Sequence, residues 1–162
     1  MHKGSAALIG QSGVFLLWIP LLMSIAKILI AEDQRALPYV RQALAGYELL
    51  LVPSLQDAER MTLEGGIDLF ILGIHFDDSR ATELANAIRR SAAHATTPII
   101  LVRILPSTIE KFIRSSTNAL KASGIITDFL EFQKNDEIAS KLKQSVEAHL
   151  PADKIVAAGL FQ

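Results

Sequence analysis

Side chains able to do chemistry are few in this sequence, and they gather where apolar runs end. Glu32-Asp33-Gln34-Arg35 follows Ile28-Leu29-Ile30-Ala31. His75, Asp77 and Asp78 follow the run Leu69 to Ile74, and Arg103 follows Pro98-Ile99-Ile100-Leu101-Val102. The chain has no cysteine, which excludes a disulfide scaffold, a thiolate metal site and a cysteine nucleophile. No G-x-G-x-x-G follows the first apolar run and there is no Walker A motif, which counts against a nucleotide-binding doubly wound domain. HExxH, GxSxG and paired-histidine patterns are missing as well. His75 reads as an exposed strand-end histidine rather than a ligand. The chemistry left open is binding at the ends of strands, where open α/β sheets take their ligands.

The elements that must position these groups are legible as alternating patterns. Ile28–Ala31, Glu48–Val52, Leu69–Ile74, Pro98–Val102 and Phe129–Phe132 are short apolar runs that read as strands, and continuous rather than alternating hydrophobicity marks burial on both faces. Between them lie stretches of helical period. The first starts near Leu37, with Pro38 tolerated in its first turn, and ends before Gly46. Ser54-Leu55-Gln56-Asp57 has capping-box spacing and opens a helix that stops at Gly65-Gly66. A third helix is expected from Thr82 to His94. A fourth runs from the capping box Ser107-Thr108-Ile109-Glu110 to Gly124. The last spans Asp136 to His149, with Ile138, Leu142, Val146 and Leu150 on one stripe, and stops at Pro151. Five strands alternating with five helices predict an α/β, doubly wound, five-stranded parallel sheet with helices on both faces.

Composition agrees with that architecture for most of the chain. The 162 residues carry 16 basic and 17 acidic side chains, a balance that gives no nucleic-acid footprint. Mean hydropathy is +0.31, high for a water-exposed domain, and the excess is uneven. Residues 1–26 hold one charged side chain, Lys3, and Gly4 to Ala26 hold none. Residues 1–25 are therefore set apart as an apolar extension, with a membrane anchor or a signal segment ending at Ser24-Ile25-Ala26 as the other readings. Residues 26–150 form the folded domain. Residues 151–162 form a tail, loose or docked on the chain itself, whose Ile155, Val156, Leu160 and Phe161 show no clear period.

Within residues 26–150 the order of elements and several local residues resemble a response-regulator receiver, the CheY-like domain. Lys27-Ile28-Leu29-Ile30-Ala31-Glu32-Asp33 resembles the first receiver strand and its acidic pair. Gly46-Tyr47-Glu48 resembles the turn into the second strand, and Asp68-Leu69-Phe70-Ile71-Leu72 the strand that leads to the phosphoacceptor. Thr97-Pro98-Ile99-Ile100-Leu101 resembles the fourth strand, and Gly124 to Leu130 the approach to the fifth. The resemblance implies strand order 2-1-3-4-5. It also implies a phosphotransfer pocket, with an acceptor Asp ending the third strand and Mg²⁺ held by that Asp and the acidic pair. A Thr or Ser after the fourth strand and a Lys after the fifth complete it.

Aligned on that pattern, this sequence departs from it. Gly73 falls at the acceptor position, Arg103 at the Thr/Ser position and Phe132 at the Lys position, with Gln133 after it. Glu32 and Asp33 match the acidic pair, and Phe129 matches the aromatic switch position. A glycine cannot form an acyl phosphate. Mg²⁺ on Glu32 and Asp33 alone would bind weakly, because it demands near-octahedral oxygen ligation, so no cofactor is expected. Arg103 is expected to fill part of the emptied space and pair with Glu32 or Asp33. Lys134 is a possible stand-in for the missing lysine, although a solvated loop residue is the plainer reading.

The implied function is that of a stand-alone pseudo-receiver in two-component signalling, not an enzyme, cytoplasmic unless the extension is an anchor. It would work through a signalling partner (a histidine kinase, regulator or effector) or a second copy of itself. The implied surface includes Arg103, Lys111, Arg114, Lys121, Phe129, Glu131, Lys141 and Glu147. Two alternatives stay open. Asp77 or Asp78 could act as an unusual phosphoacceptor, or the strand ends could bind a small ligand.

Overall fold

The computed structural model of the chain describes residues 24–104, 110–132 and 137–159, with the side chains of residues 110–112 outside that description. The apolar extension up to residue 23, the capping box Ser107 to Ile109, Gln133, Lys134, Asp136, Leu160 and Phe161 lie outside the described residues.

Five strands form one parallel sheet: β1 (Lys27–Ala31), β2 (Glu48–Leu51), β3 (Leu69–Gly73), β4 (Ile99–Arg103) and β5 (Asp128–Glu131), in the order β2-β1-β3-β4-β5. The order reverses direction between β1 and β3, which pair from Ile28↔Leu69 to Ala31↔Leu72. The period of two sends alternate side chains to opposite faces. Ile28, Ile30, Leu69, Ile71, Ile100 and Val102 enter one core layer. Leu29, Ala31, Phe70, Leu72, Ile99 and Leu101 enter the other. That is why these runs are continuously apolar. β1, β3 and β4 are covered on both sides, and each fully buried Leu, Ile or Phe side chain contributes about 1.5–3 kcal/mol.

Six helices are described: α1 (Leu37–Ala43), α2 (Leu55–Glu64), α3 (Ala81–Arg90), α4 (Glu110–Ala122), α5 (Ile138–His149) and α6 (Ala152–Gly159). α1 and α5 cover the first layer through Val40, Ala43, Leu142 and Val146. α2 and α3 cover the second through Leu55, Ala58, Leu84, Ala85 and Ile88. Ser54 caps α2 as expected: its Oγ accepts from the Asp57 amide at 3.2 Å and donates to the Asp57 carboxylate at 2.7 Å. α2 ends at Gly65 and Gly66, both at positive φ, a conformation that costs a glycine nothing.

Two boundaries differ from expectation. α3 stops at Arg90 rather than His94. Beyond it the chain turns so that the His94 ring lies buried edge-on against Phe70, with centroids 5.1 Å apart. The Arg89 guanidinium then donates to the carbonyls of His94 and Thr97 at 3.2 and 2.7 Å, replacing the helical turns that were lost. The second difference is the tail, of which residues 152–159 form α6. Its buried face is made of Ala157 and Ala158, small residues that give no strong periodic signal. Lys154 pins it beneath the sheet with an ion pair to Asp68 at 3.4 Å and a hydrogen bond to Ser24 Oγ. Among the described residues no helix is long and apolar enough to cross a membrane.

Candidate functional site

The carboxyl ends of β1, β2 and β3 surround a cleft of about 310 Å³ beside the point where the strand order reverses. Glu32, Asp33, Gln34 and Leu37 line it from the β1–α1 connection. Leu51, Val52 and Pro53 line it from the end of β2, and His75, Phe76, Asp77 and Asp78 from the β3–α3 loop. The predicted strand-end groups Glu32, Asp33, Asp77 and Asp78 are therefore brought together.

The two carboxylates of the acidic pair have opposite environments. Glu32 is only 7% exposed. Its Oε1 accepts from the Asp33 amide at 2.8 Å, and its Oε2 is buried with no hydrogen-bond partner. Burial pushes its carboxyl up to about 7, a rise opposed by the Asp33 amide and reinforced by the Asp33 charge. Asp33 instead holds the Arg35 backbone amide and Nε at 2.9 Å each and Arg35 Nη2 at 3.1 Å. These bonds hold the Asp33 carboxyl down at about 2.

Gly73, the last residue of β3, explains where Glu32 goes. A Cβ built on Gly73 would fall within the Glu32 carboxylate itself. The side chain of Glu32 thus occupies the space that any larger residue at the end of β3 would need. A larger residue there would have to displace the flexible end of Glu32, so glycine is favoured by close approach rather than by backbone conformation.

Arg103 does not pair with Glu32 or Asp33, and that expectation is corrected. It ends β4, is 3% exposed, and forms an ion pair through Nη2 with Glu131 Oε1. The reason is sheet register. Arg103 stands directly across from Glu131 in the β4–β5 pair, and side chains directly opposite in neighbouring strands share a face. Glu131 Oε2 also accepts from Arg114 Nε at 3.1 Å, so one carboxylate joins the end of the sheet to α4. A guanidinium fork suits such sharing.

The remaining candidates divide. Phe132, just past β5, is buried in the layer under α1 and α5 and does not line the cleft. Phe129, on β5, is half-buried against the opposite layer. Lys111 lies on α4 with its side chain outside the described residues. Arg114 is exposed apart from its bond to Glu131. Lys121 binds Asp128 at 2.7 Å. Glu147 faces Lys143 at 4.0 Å, and Lys141 is exposed on α5.

The β3–α3 loop carries the rest. Asp77, Asp78 and Ser79 have φ of 42, 58 and 67°, a run of left-handed residues that Asp tolerates better than most. Asp77 Oδ2 accepts from the Leu55 amide at 2.8 Å and lies 3.7 Å from Arg80, so it caps α2 from across the cleft. Asp78 faces solvent. His75 is half-buried rather than exposed, with Nε2 buried and without a hydrogen-bond partner. Sequence reasoning missed the roles of Arg35 and Asp77. The signal for Arg35 was present, because a basic residue two positions after an Asp can fold back onto it.

A divalent cation fits these residues poorly. Mg²⁺ needs several oxygen ligands in octahedral array. Here Glu32 is folded over Gly73 and Asp33 is occupied by Arg35. Among the described residues no group of three or more His, Cys, Asp or Glu side chains is placed to hold a metal ion.

No protein-family model matches the chain, and no curated protein matches it in sequence. Solved structures do match. The phosphorylated cyanobacterial phytochrome response regulator RcpA is 18% identical with a TM-score of 0.63, over 80% of this chain and 100% of its own. The chemotaxis protein CheY4 of Vibrio cholerae is 19% identical with a TM-score of 0.60, over 78% and 100%. The response regulator TrrA of Thermotoga maritima, solved with Mg²⁺ and BeF, is 22% identical with a TM-score of 0.59, over 78% and 100%. At such identities the likeness establishes the fold. The chain has the five-stranded doubly wound fold of CheY-like response-regulator receivers.

Proposed function

We propose that this chain is a pseudo-receiver, a module of two-component-type signalling that works by protein–protein contact without being phosphorylated. One observation carries the reading. The strand end that supplies the acceptor Asp in a receiver is Gly73, and the space in front of it is filled by Glu32. Acyl-phosphate formation needs a carboxylate nucleophile at that point and a cation to neutralise the phosphoryl oxygens. Phe132, at the position of the phosphate-binding Lys, is turned into the core, which supports the same reading. The partner would be a histidine kinase, regulator or effector in the cytoplasm, or a second copy of this chain.

The test is incubation with acetyl phosphate and Mg²⁺, followed by intact-mass measurement. The expected result is an unchanged mass. A stable adduct of one phosphoryl group would overturn the proposal, and fragmentation would locate it. Asp78 is the alternative acceptor that geometry leaves accessible, since the Asp77 carboxylate is engaged by α2.

A further inference from the structure

We infer that the site carries its own substitutes for a metal ion, with Arg35 standing as the cation on Asp33 and the Glu32 side chain as the plug over Gly73, so that the pocket is closed to divalent cations by two removable contacts. The inference rests on the pseudo-receiver reading and deepens it, from a missing nucleophile to a site kept in one state by internal groups. Three placements carry it. The Arg35 guanidinium makes two parallel bonds to the two oxygens of Asp33, at 2.9 and 3.1 Å, and the Arg35 amide adds a third bond at 2.9 Å. A divalent cation would have to displace a guanidinium tethered two residues away, whose effective concentration is high because the loop is short. The Glu32 carboxylate meanwhile occupies the volume where a Gly73 Cβ would stand. It is the far end of a flexible side chain held by one hydrogen bond, from the Asp33 amide. It lies beside a cleft large enough to receive it.

The two contacts make different predictions when removed. Arg35→Ala frees Asp33 but leaves a single available carboxylate, which is too few oxygens for tight binding. Gly73→Asp evicts Glu32 towards the cleft and adds a ligand, but leaves Asp33 engaged by Arg35. Gly73→Asp with Arg35→Ala does both, so that three carboxylates converge.

The experiment is Mn²⁺ titration of the full chain and the three variants, read by the loss of the free-ion paramagnetic resonance signal. Folding of each is checked by circular dichroism. The expected result is negligible binding by the natural chain, at most a few-fold change in either single variant, and binding at least about tenfold tighter in the double variant. A folded double variant that binds no better than Gly73→Asp alone would overturn the inference. So would a natural chain that binds as tightly as the double variant. Should the double variant not fold, the natural chain still decides: its melting temperature is expected to stay constant on adding millimolar Mn²⁺, and a rise would show an open site. These outcomes are separate from the acetyl-phosphate test, because a chain that takes up phosphoryl groups at Asp78 could still exclude Mn²⁺ at Glu32 and Asp33.

Discussion

Replacing Glu32 by Gln should remove a specific pH dependence from the stability of the fold. The Glu32 carboxyl is raised from 4.5 to about 7, chiefly by burial. Between those values the folded chain keeps a proton that the unfolded chain has released. The folded state therefore binds more protons, and stability falls as pH rises through that window. The stabilisation is fully present below pH 4.5 and lost by about pH 7. A gap of about 2.5 units at about 1.4 kcal/mol per unit amounts to about 3 kcal/mol. Solvent screening takes little from this, since the group is 7% exposed. Gln keeps the shape and the acceptor for the Asp33 amide but cannot ionise. The assay is urea denaturation of both chains at pH 5 and pH 8. The natural chain should lose about 2.5 kcal/mol relative to the variant between the two conditions, since pH 5 already lies above 4.5. Other titrations cancel in that difference. Asp33, held near 2, contributes stability that is lost only as pH falls through the region below 3.8. His94, lowered by burial, loses its contribution as pH falls below its ordinary 6.5. A difference between the chains that stays flat within about 0.5 kcal/mol would refute the placement of a neutral Glu32 over Gly73.

Further substitutions test the neighbouring contacts. Gly73→Ala puts a methyl group into the Glu32 carboxylate, so it should cost about 1–3 kcal/mol in urea and abolish the same pH slope by driving Glu32 to solvent. Arg103→Met leaves the half-buried Glu131 without its buried partner and should cost about 3–5 kcal/mol. Arg114→Met, at the exposed end of the same triad, should cost under about 1 kcal/mol; equal losses would show that Arg103 and Arg114 share Glu131 on equal terms. Asp77→Ala removes the acceptor for the Leu55 amide and should cost about 1–2 kcal/mol, with Asp77→Asn retaining most of the stability. Equal losses for Ala and Asn would assign the role of Asp77 to its charge alone.

Much of the fold was legible because burial on both faces leaves an unmistakable mark. Ile28–Ala31, Leu69–Leu72 and Ile99–Val102 are apolar at every position, and each lies inside the sheet with neighbours on both sides. Signals fixed by local chemistry, such as the Ser54 cap and the Gly65-Gly66 stop, also held. Docking of the tail was one of two readings, but its helix was illegible because α6 packs through Ala157, Ala158 and the partly buried Ile155 and is held by Lys154 to Asp68, a contact distant in sequence. The strand-end positions could be read from the sequence, but their pairings could not. Arg103 has acidic candidates on several elements, and only the β4–β5 register, which the sequence does not print, sets it across from Glu131.

The pairings also support the pseudo-receiver reading. In a metal-dependent pocket the carboxylates converge and a diffusible cation balances them. Here each cleft carboxylate except Asp78 has a fixed internal answer. Asp33 has Arg35, Asp77 has the amino end of α2 and Arg80, and Glu32 is kept towards neutrality by burial. Arg103 pairs with Glu131 and so ties the end of β4 to β5 and, through Arg114, to α4. A site balanced in this way offers a divalent cation few free oxygens. On the pseudo-receiver reading, a change of state would come from outside the cleft, from something that competes for those fixed contacts. The exposed guanidinium of Arg114 is where such competition meets least resistance, because it is the most solvent-exposed member of the Arg103–Glu131–Arg114 triad.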